Sequence, residues 1–188
     1  MEKRILLIID PQNDFIDGSL AVSGAVEAIF NLSAYIRDNK DKYDLIVMTK
    51  DWHPSSHCSF IDNGGEWPVH CVENTDGASI RPVLLDAIHS AELPSIQLTK
   101  GTNEDREEYS IFKNEESAAK LLELIESTSP CQIDCCGIAL DYCVLNTIED
   151  AIKLGIGNKL TLLKEFSPAI GDPDTVYKKL EDEEIPII

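Results

Sequence analysis

The sequence predicts a three-layer α/β fold, in which a mostly parallel β-sheet is flanked by helices on both faces. Continuously apolar runs rich in Ile, Leu and Val alternate along the chain with longer stretches in which apolar residues recur at the helical period. Strands that are apolar at every position are typical of parallel sheets, because helices cover both faces of such sheets. The length of 188 residues suits one domain with a sizeable core, so we expect a single domain over residues 1–188.

The first half of the chain predicts three strands and one helix. The runs "RILLIID", "DLIVMTKD" and "SIQLTK" read as strands. Between the first two, the stretch "VEAIFNLSAYIRDN" carries apolar residues at the spacing of an amphipathic helix. The buried face of this helix is expected to contain Val26, Ile29, Phe30 and Ala34.

The second half of the chain continues the alternation. The stretch "NEESAAKLLELIEST" predicts a helix with a leucine stripe and with Asn114 as its N-cap. The run "CQIDCCGI" reads as a fourth strand, and it is followed by the helix "CVLNTIEDAIKLG", which Gly155 ends. Then "KLTLLKE" predicts another strand, "DTVYKKLEDEE" a last helix and "IPII" a short final strand.

The composition excludes several classes of partner. With 34 acidic against 16 basic residues the formal net charge is −18, and such a surface repels nucleic-acid phosphates and anionic lipids. The apolar run at residues 5–9 is too short for a signal-peptide core, and no stretch approaches the length of a membrane span. A cytoplasmic protein is therefore expected, with its six cysteines mostly reduced. Because these cysteines form no CxxC pair, a structural zinc site of thiolate ligands is not expected.

Reactive side chains follow the predicted strands at the points where the strands end. Asp10 ends the first strand, Asp51 and His53 follow the second, Lys100 ends the third and Cys143 follows the fourth. In parallel α/β sheets, reacting groups gather in the crevice at the carboxyl ends of the strands. We therefore expect these residues, which are far apart in sequence, to converge on one site.

Cys143 is the candidate nucleophile among these residues. It lies where a strand gives way to a helix, and a helix N-terminus is expected to lower a thiol pKa and to hold an oxyanion. A buried cysteine at the start of a core helix is the structural alternative. Asp10 is a candidate base for the thiol, or else an ordinary turn cap. Lys100 is a candidate for stabilising negative charge, or else an ordinary exposed lysine.

The segment "TKDWHPSSHCSF" is the candidate metal-binding loop. Asp51 and His53 stand two residues apart, so in an extended segment they point to the same side. With His70 from "EWPVHCV" they form a set of two imidazoles and one carboxylate, which suits zinc, iron or manganese and leaves positions open. His57 is either a fourth ligand or a polar loop residue, since Pro54 argues against a regular helix there.

Taken together, these residues resemble a known family. The segments are "IIDPQNDFIDGSLAVSGA", "TKDWHPSSHCSF", "WPVHCV", "TKGTNEDREEYSIF" and "GIALDYCVLNTIEDA". In this order they resemble the motifs of the nicotinamidases (pyrazinamidases) of the isochorismatase-like cysteine hydrolase superfamily. The resemblance extends from Ile5 to about Ala151 and is weaker beyond that position.

The resemblance implies a catalytic role for five positions. Asp10, Lys100 and Cys143 match the catalytic triad of the family. The bond between Ile138 and Ala139 matches a cis peptide. In the family, this bond turns the Ala139 N–H, together with the N–H of Cys143, toward the oxyanion.

The resemblance also implies a metal site and a substrate site. The positions that match metal ligands are Asp51, His53 and His70. His57 matches a position that is a ligand in some members only. The expected cofactor is a divalent metal ion, zinc first, with iron or manganese as alternatives. Phe15 and Trp67 match residues that sandwich a pyridine ring.

The activity that the resemblance implies is hydrolysis of nicotinamide to nicotinate and ammonia through a thioester, in NAD salvage. A small pyridine carboxamide is then the expected partner, pyrazinamide is expected to be a further substrate, and a homo-oligomer is compatible with the sequence. Isochorismatases lack the cysteine nucleophile and this metal motif, and carbamoyl-cleaving amidases typically lack the Asp-x-His loop. The alternative within the superfamily is a cysteine amidase for another small amide.

Two alternatives come from other functional classes. An iron-dependent oxygenase uses two histidines and one carboxylate, but such enzymes usually have all-β barrels, which the alternating pattern argues against. A non-catalytic metal-binding or regulatory protein could have kept the fold alone. Against this, a competent residue fills every catalytic position of the motifs.

Overall fold

A five-stranded parallel sheet forms the centre of the computed structural model, which describes residues 2–188. The strands are β1 (Arg4–Ile9), β2 (Leu45–Asp51), β3 (Ser95–Lys100), β4 (Gln132–Gly137) and β5 (Leu160–Leu162). Every neighbouring pair is parallel, and the strand order is β3-β2-β1-β4-β5. The predicted α/β fold with a parallel sheet is confirmed.

Six α-helices cover the two faces of this sheet. They are α1 (Asn13–Ile16), α2 (Ala25–Asp38), α3 (Pro82–Ser90), α4 (Glu115–Thr128), α5 (Leu145–Lys153) and α6 (Pro173–Asp182). Leu6 and Ile8 of β1 pack in one apolar cluster with α1, α2 and α3, whereas the alternate β1 residues pack with α4, α5 and α6. Among residues 2–188, no helix has both the length and the apolar character that crossing a membrane requires.

The buried face of α2 differs from the predicted one. Val26 and Phe30 are 58% and 66% exposed, Ala34 is also exposed, and only Ile29 of the predicted stripe is buried. The observed stripe consists of Ala25, Ala28, Ile29, Leu32, Ser33 and Ile36. The helix carries two apolar stripes. The buried stripe extends from Ala25 to Ile36 and so covers almost the whole helix. The helical period was therefore right and the predicted face was wrong.

Other element predictions had mixed outcomes. The Asn114 side chain caps α4 by accepting a hydrogen bond of 3.1 Å from the Ser117 N–H, as predicted. The short helix α3 was not predicted, because its nine residues barely exceed two turns. The segment "IPII" makes one parallel bridge, between Leu162 and Ile187, and no regular strand.

The register of the sheet brings the strand ends to one edge. Asp51 and Lys100 are paired residues at the ends of β2 and β3, and Ile9 is paired with Gly137 at the ends of β1 and β4. Directly after β1, Asp10 turns the chain with a positive φ of 50°. The segments that carry the candidate site residues therefore leave the sheet side by side.

Candidate active site and metal centre

Lys100 lies at the centre of the candidate active site and is fully buried. Its Nζ atom donates a hydrogen bond of 2.6 Å to Asp51 Oδ1 and lies 2.8 Å from Asp10 Oδ2. The same atom lies 3.4 Å from Cys143 Sγ. The structure thus brings together the four residues that the sequence placed at four strand ends.

Asp10 contacts Thr49 through one carboxylate oxygen and Lys100 through the other. Oδ1 accepts a hydrogen bond of 2.6 Å from the Thr49 hydroxyl, and the Asp10 N–H donates to the Thr49 carbonyl at 3.1 Å. Oδ2 is buried, and within residues 2–188 it has no aligned hydrogen-bond donor, so its contact with Lys100 is an ion pair. This oxygen is available to accept a proton.

The charges of Lys100 and Asp51 stabilise each other. Burial by itself would lower the pKa of Lys100, but the carboxylates of Asp10 and Asp51 raise it well above its usual range. Burial would likewise raise the pKa of Asp51, but the Lys100 charge and the adjacent His53 side chain lower it. The pair is therefore ionised at neutral pH.

The other two groups of the site have raised pKa values. Burial is the largest cause for Asp10, and the Asp51 charge adds to it while Lys100 opposes it. Burial also raises the pKa of the Cys143 thiol well above its usual range, and the nearby Lys100 charge offsets this only in part. Burial of the thiolate therefore outweighs the favourable charge of Lys100 at this position.

Cys143 follows β4 on a π-helical turn, Leu140–Val144, that leads into α5. The peptide bond between Ile138 and Ala139 is cis, as the resemblance implied. Within residues 2–188, the Ala139 N–H donates no hydrogen bond to the protein. A π-turn is a frequent feature of functional sites, and here it carries the candidate nucleophile.

Asp51, His53 and His70 form a group of donors that fits a metal ion. One ligand atom from each lies within 4.8 Å of the others. Nδ1 of His53 donates to the Gly101 carbonyl at 2.9 Å, and Nδ1 of His70 donates to the Pro68 carbonyl at 2.7 Å. Each Nε2 is therefore left as the free ring nitrogen, and that of His53 is buried without a partner within residues 2–188. Carbonyls that fix the tautomer in this way are typical of metal-binding histidines.

His57 lies outside this donor group. Its ring stacks on the ring of His53 with a centroid distance of 4.0 Å. Both nitrogens of His57 are engaged, because Nδ1 is 2.7 Å from the Ser59 hydroxyl and Nε2 is 3.2 Å from the Arg106 carbonyl. In this geometry the His57 ring is held by Ser59 and Arg106 and lies against the His53 ring.

Gln12 and Gly101 hold the metal-binding segment in place. The buried Gln12 amide accepts from the Asp51 N–H and donates to the Asp51 carbonyl, both at 2.7 Å. β1 ends before it reaches Asp51 of β2, and the Gln12 side chain makes the two hydrogen bonds that a paired strand would make with the Asp51 backbone. Gly101 has a φ of 65°, and a Cβ at this position would lie 2.3 Å from Cε1 of His53. Only glycine fits against the histidine ring here.

An aromatic pocket of about 360 Å³, including its opening to solvent, lies over this group. Its lining includes Phe15, Trp67, Tyr109, Tyr142, Cys143 and His70. The Trp67 indole N–H donates to the Tyr109 hydroxyl at 2.9 Å, which fixes that wall. Concave sites with aromatic walls and a few polar groups are typical binding sites for small molecules. Another cavity lies between the sheet and α4 and α5, but its lining is aliphatic apart from Phe112, Cys135 and Thr147, and it contains no charged group.

Residues 4–158 match the isochorismatase domain family. The chain belongs to this family. It is 35% identical over 184 residues to the nicotinamidase/pyrazinamidase of Mycobacterium tuberculosis, and the match covers 95% of this chain and 93% of that protein. It is thus similar to nicotinamidases, as the motifs predicted.

Two solved structures resemble the fold over nearly its whole length. The pyrazinamidase of Pyrococcus horikoshii in complex with zinc has a TM-score of 0.83 and 32% identity, and the match covers 99% of this chain and 98% of that chain. The yeast nicotinamidase bound to the inhibitor nicotinaldehyde has a TM-score of 0.85 and 29% identity, and covers 98% of this chain and 99% of that chain. The isochorismatase-like hydrolase fold is confirmed.

Several site residues of this isochorismatase-family chain were missed in the sequence. Tyr109, Tyr142 and Glu107 line the pocket, Thr49 donates to the Asp10 carboxylate, and Gln12 holds the backbone of Asp51. All of them lie within the quoted motifs or beside them, which is the signal that could have found them. Their roles depend on contacts with residues distant in sequence, and spacing alone does not encode those contacts.

Proposed function

We propose that this chain is a metal-containing cysteine amidohydrolase that converts nicotinamide to nicotinate and ammonia. The observation that supports it most is the contact of Lys100 Nζ with Asp10 and Cys143, at 2.8 and 3.4 Å, beneath an aromatic pocket. The curated relatives, which are nicotinamidases, support the same substrate. We also propose pyrazinamide as a substrate, as in the name of the M. tuberculosis relative.

The first half of the proposed reaction forms a thioester. The Cys143 thiol transfers its proton to Asp10 as its sulfur attacks the carboxamide carbon, and the N–H groups of Ala139 and Cys143 hold the resulting oxyanion. Lys100 stabilises Asp10 in its ionised form. The C–N bond then breaks, and Asp10 returns the proton to the leaving nitrogen, which departs as ammonia.

The second half of the proposed reaction releases the acid. A water molecule gives a proton to Asp10 and attacks the thioester carbonyl, the C–S bond breaks, and the sulfur recovers that proton. The raised pKa of Asp10 suits this role, because burial makes it a better proton acceptor than an exposed aspartate. The acid loses its remaining proton to solvent, and nicotinate leaves as an anion.

The donor group of Asp51, His53 and His70 would hold the metal. A divalent ion there, zinc first, would supply a Lewis-acidic site for the pyridine nitrogen and so orient the ring. Phe15 and Trp67 lie in the pocket lining and are proposed to contact the two faces of the ring. Orientation of the carboxamide over Cys143 then brings the reacting atoms together.

The test is ammonia release from nicotinamide by the purified metal-replete protein. We expect release by the wild type and by Cys58→Ser, which alters a half-buried cysteine outside the pocket lining. Cys143→Ala should release none, and chelator treatment should slow the wild type. Ammonia release that persists in Cys143→Ala would overturn the proposal. A wild type that hydrolyses other small amides but not nicotinamide would overturn the substrate and leave the cysteine amidase.

The proposed reaction places the protein in NAD salvage. A cytoplasmic location fits this role and also keeps the catalytic thiol reduced. Aromatic carboxamides without a ring nitrogen should be hydrolysed much more slowly than nicotinamide if that nitrogen orients the substrate. Equal rates for nicotinamide and benzamide would contradict that orientation.

A further inference from the structure

A short segment at the mouth of the pocket is attached to the turn that carries Cys143. This segment, residues 168–171, is called the rim segment below. It has no regular secondary structure and precedes α6. Ile170 lies on it and lines the same pocket as Cys143 and Tyr142, although 46% of its surface is exposed.

Asp141 makes the attachment with both of its carboxylate oxygens. Oδ1 accepts a hydrogen bond of 3.0 Å from the Ile170 N–H, and Oδ2 accepts one of 2.7 Å from the Gly171 N–H. One residue earlier, the Leu140 N–H donates to the Pro168 carbonyl at 2.8 Å. Asp141 is two residues from Cys143, so the nucleophile and the pocket wall share one support.

A carboxylate is the side chain that suits this attachment. Two consecutive N–H donors need two acceptor oxygens, and charged acceptors form stronger hydrogen bonds than neutral ones. An asparagine could accept only one of the two hydrogen bonds, because its NH₂ group would face an N–H donor. The remaining hydrogen bond, from Leu140, would not by itself fix Ile170.

The geometry points to Asp141 as a positioning residue that fixes Ile170 as a wall of the pocket and thereby limits the size of the amide that reaches Cys143. With the rim segment in place, Ile170 forms part of the same pocket lining as Tyr142 and Leu20 and so narrows the space that leads to Cys143. Released from Asp141, the rim segment would admit bulkier molecules and would hold a small ring less tightly. The ring's identity as nicotinamide rests on the proposed function, but the limit on size does not.

Alkylation of Cys143 tests the wall without requiring any amidase activity. Iodoacetamide serves as the small probe and N-phenylmaleimide as the bulky one, with rates read at Cys143 by peptide mass mapping. Cys131 is exposed at the other end of β4 and corrects for the intrinsic reactivity of each reagent. Asp172→Ala is the matched control, since Asp172 caps α6 next to the rim segment through the Asp174 N–H and Thr175.

We expect Asp141→Ala and Ile170→Ala to raise the ratio of bulky to small alkylation about fivefold or more, because a pocket wall discriminates sizes by such factors. Asp141→Asn should fall between these and the wild type, and Asp172→Ala should leave the ratio unchanged. If both reagents alkylated Cys143 faster by the same factor, the variant would have loosened the site as a whole, and the proposal would be overturned. An unchanged ratio in folded Asp141→Ala would overturn it too. If Asp141→Ala does not fold, Asp141→Asn decides in its place.

The kinetic constants give a second reading in an active enzyme. Asp141→Ala should raise KM for nicotinamide about fivefold and change kcat by less than about twofold, since the chemical groups are untouched. A decrease in kcat with no change in KM would mean that Asp141 acts in the chemical step, and it would overturn the proposal that Asp141 positions Ile170. A wild type without activity on nicotinamide would sink the proposed substrate only, and the alkylation ratios would still decide the size limit.

Discussion

Asp51 accepts a hydrogen bond of 2.6 Å from Lys100, so one carboxylate belongs to both halves of the site. It is a candidate metal ligand together with His53 and His70, and it also compensates the charge of the buried lysine beside Cys143. The metal-binding group and the group around Cys143 are therefore electrostatically connected. Single substitutions should affect the two groups differently.

The first prediction compares the variants Asp51→Asn and His70→Asn. Both should weaken zinc binding about a hundredfold or more, which a competition titration with a chelating dye measures. In metal-free protein only Asp51→Asn should speed the alkylation of Cys143, because the Asp51 charge raises the pKa of that thiol. The same alkylation rate in both variants would show that the two halves are independent.

The second prediction concerns the base. Asp10→Asn should reduce amide hydrolysis about a thousandfold, the range for loss of a general base. It should nevertheless speed the alkylation of Cys143 at neutral pH, since the Asp10 charge raises the pKa of this thiol and Lys100 lowers it. Activity and thiol reactivity would thus move in opposite directions. A parallel loss of both would argue that Asp10 has a structural role instead.

The third prediction concerns the glycine beside His53. Gly101→Ala should lower zinc affinity about tenfold or more, because the new Cβ would displace the His53 ring, whose Nδ1 donates to the Gly101 carbonyl. Gly155→Ala is the control. Gly155 also has a positive φ, of 78°, but its Cβ would meet nothing within 4 Å. The control should lose about 1 kcal/mol of stability and no zinc affinity. Equal zinc affinities in the two variants would contradict the clash.

The fourth prediction is a pH dependence of stability. Buried Glu108 accepts hydrogen bonds from the Gly101 N–H at 2.7 Å and from Asn114 at 3.1 Å. Burial would raise its pKa, but the hydrogen bonds from Arg106 and Asn114 lower it below its usual value. The ionised Glu108 side chain therefore stabilises the fold fully above the pKa of a glutamate in the unfolded chain, about 4.3. This stabilisation is lost as the pH falls through the lower pKa that Glu108 has in the folded state.

Urea unfolding of Glu108→Gln measures this contribution. At pH 7 the variant should be about 2 kcal/mol less stable than the wild type, as for hydrogen bonds to a buried charge. The difference should shrink as the pH falls below about 4. Glu123→Gln, at an exposed position paired with Lys120, should change stability by less than about 0.5 kcal/mol. A difference that stays constant with pH would exclude the carboxylate charge as its cause.

The sequence predicted those features that depend on local pattern and on sheet topology. Lys100 and Cys143 could be brought together in advance because parallel strands end at a common edge. The N-cap of α4 at Asn114 was also readable, because a cap involves only neighbours in sequence. Such features need no knowledge of packing.

The features that were missed depend on packing between distant segments. Val26 and Ile29 are both apolar, and only the position of α3 and the sheet decides which of them is buried. The thiol pKa of Cys143 depends on how deeply the turn is buried, which its place at a helix start does not encode. The amide of Gln12 replaces strand pairing with Asp51, and that contact spans 39 positions of the chain.

The central position of β1 has a consequence for the order in which the protein is built during synthesis. β1 leaves the ribosome first, and β2 can pair with it early, but its other neighbour, β4, begins only at Gln132. Until β4 is made, the nascent chain carries a long apolar strand with one edge unpaired, which is a template for aggregation. Pairing of β4 with β1 closes this edge, and the chain that follows β4 carries Cys143, whose folded position is beside Lys100. A chain that has not completed its sheet therefore has no nucleophile in place.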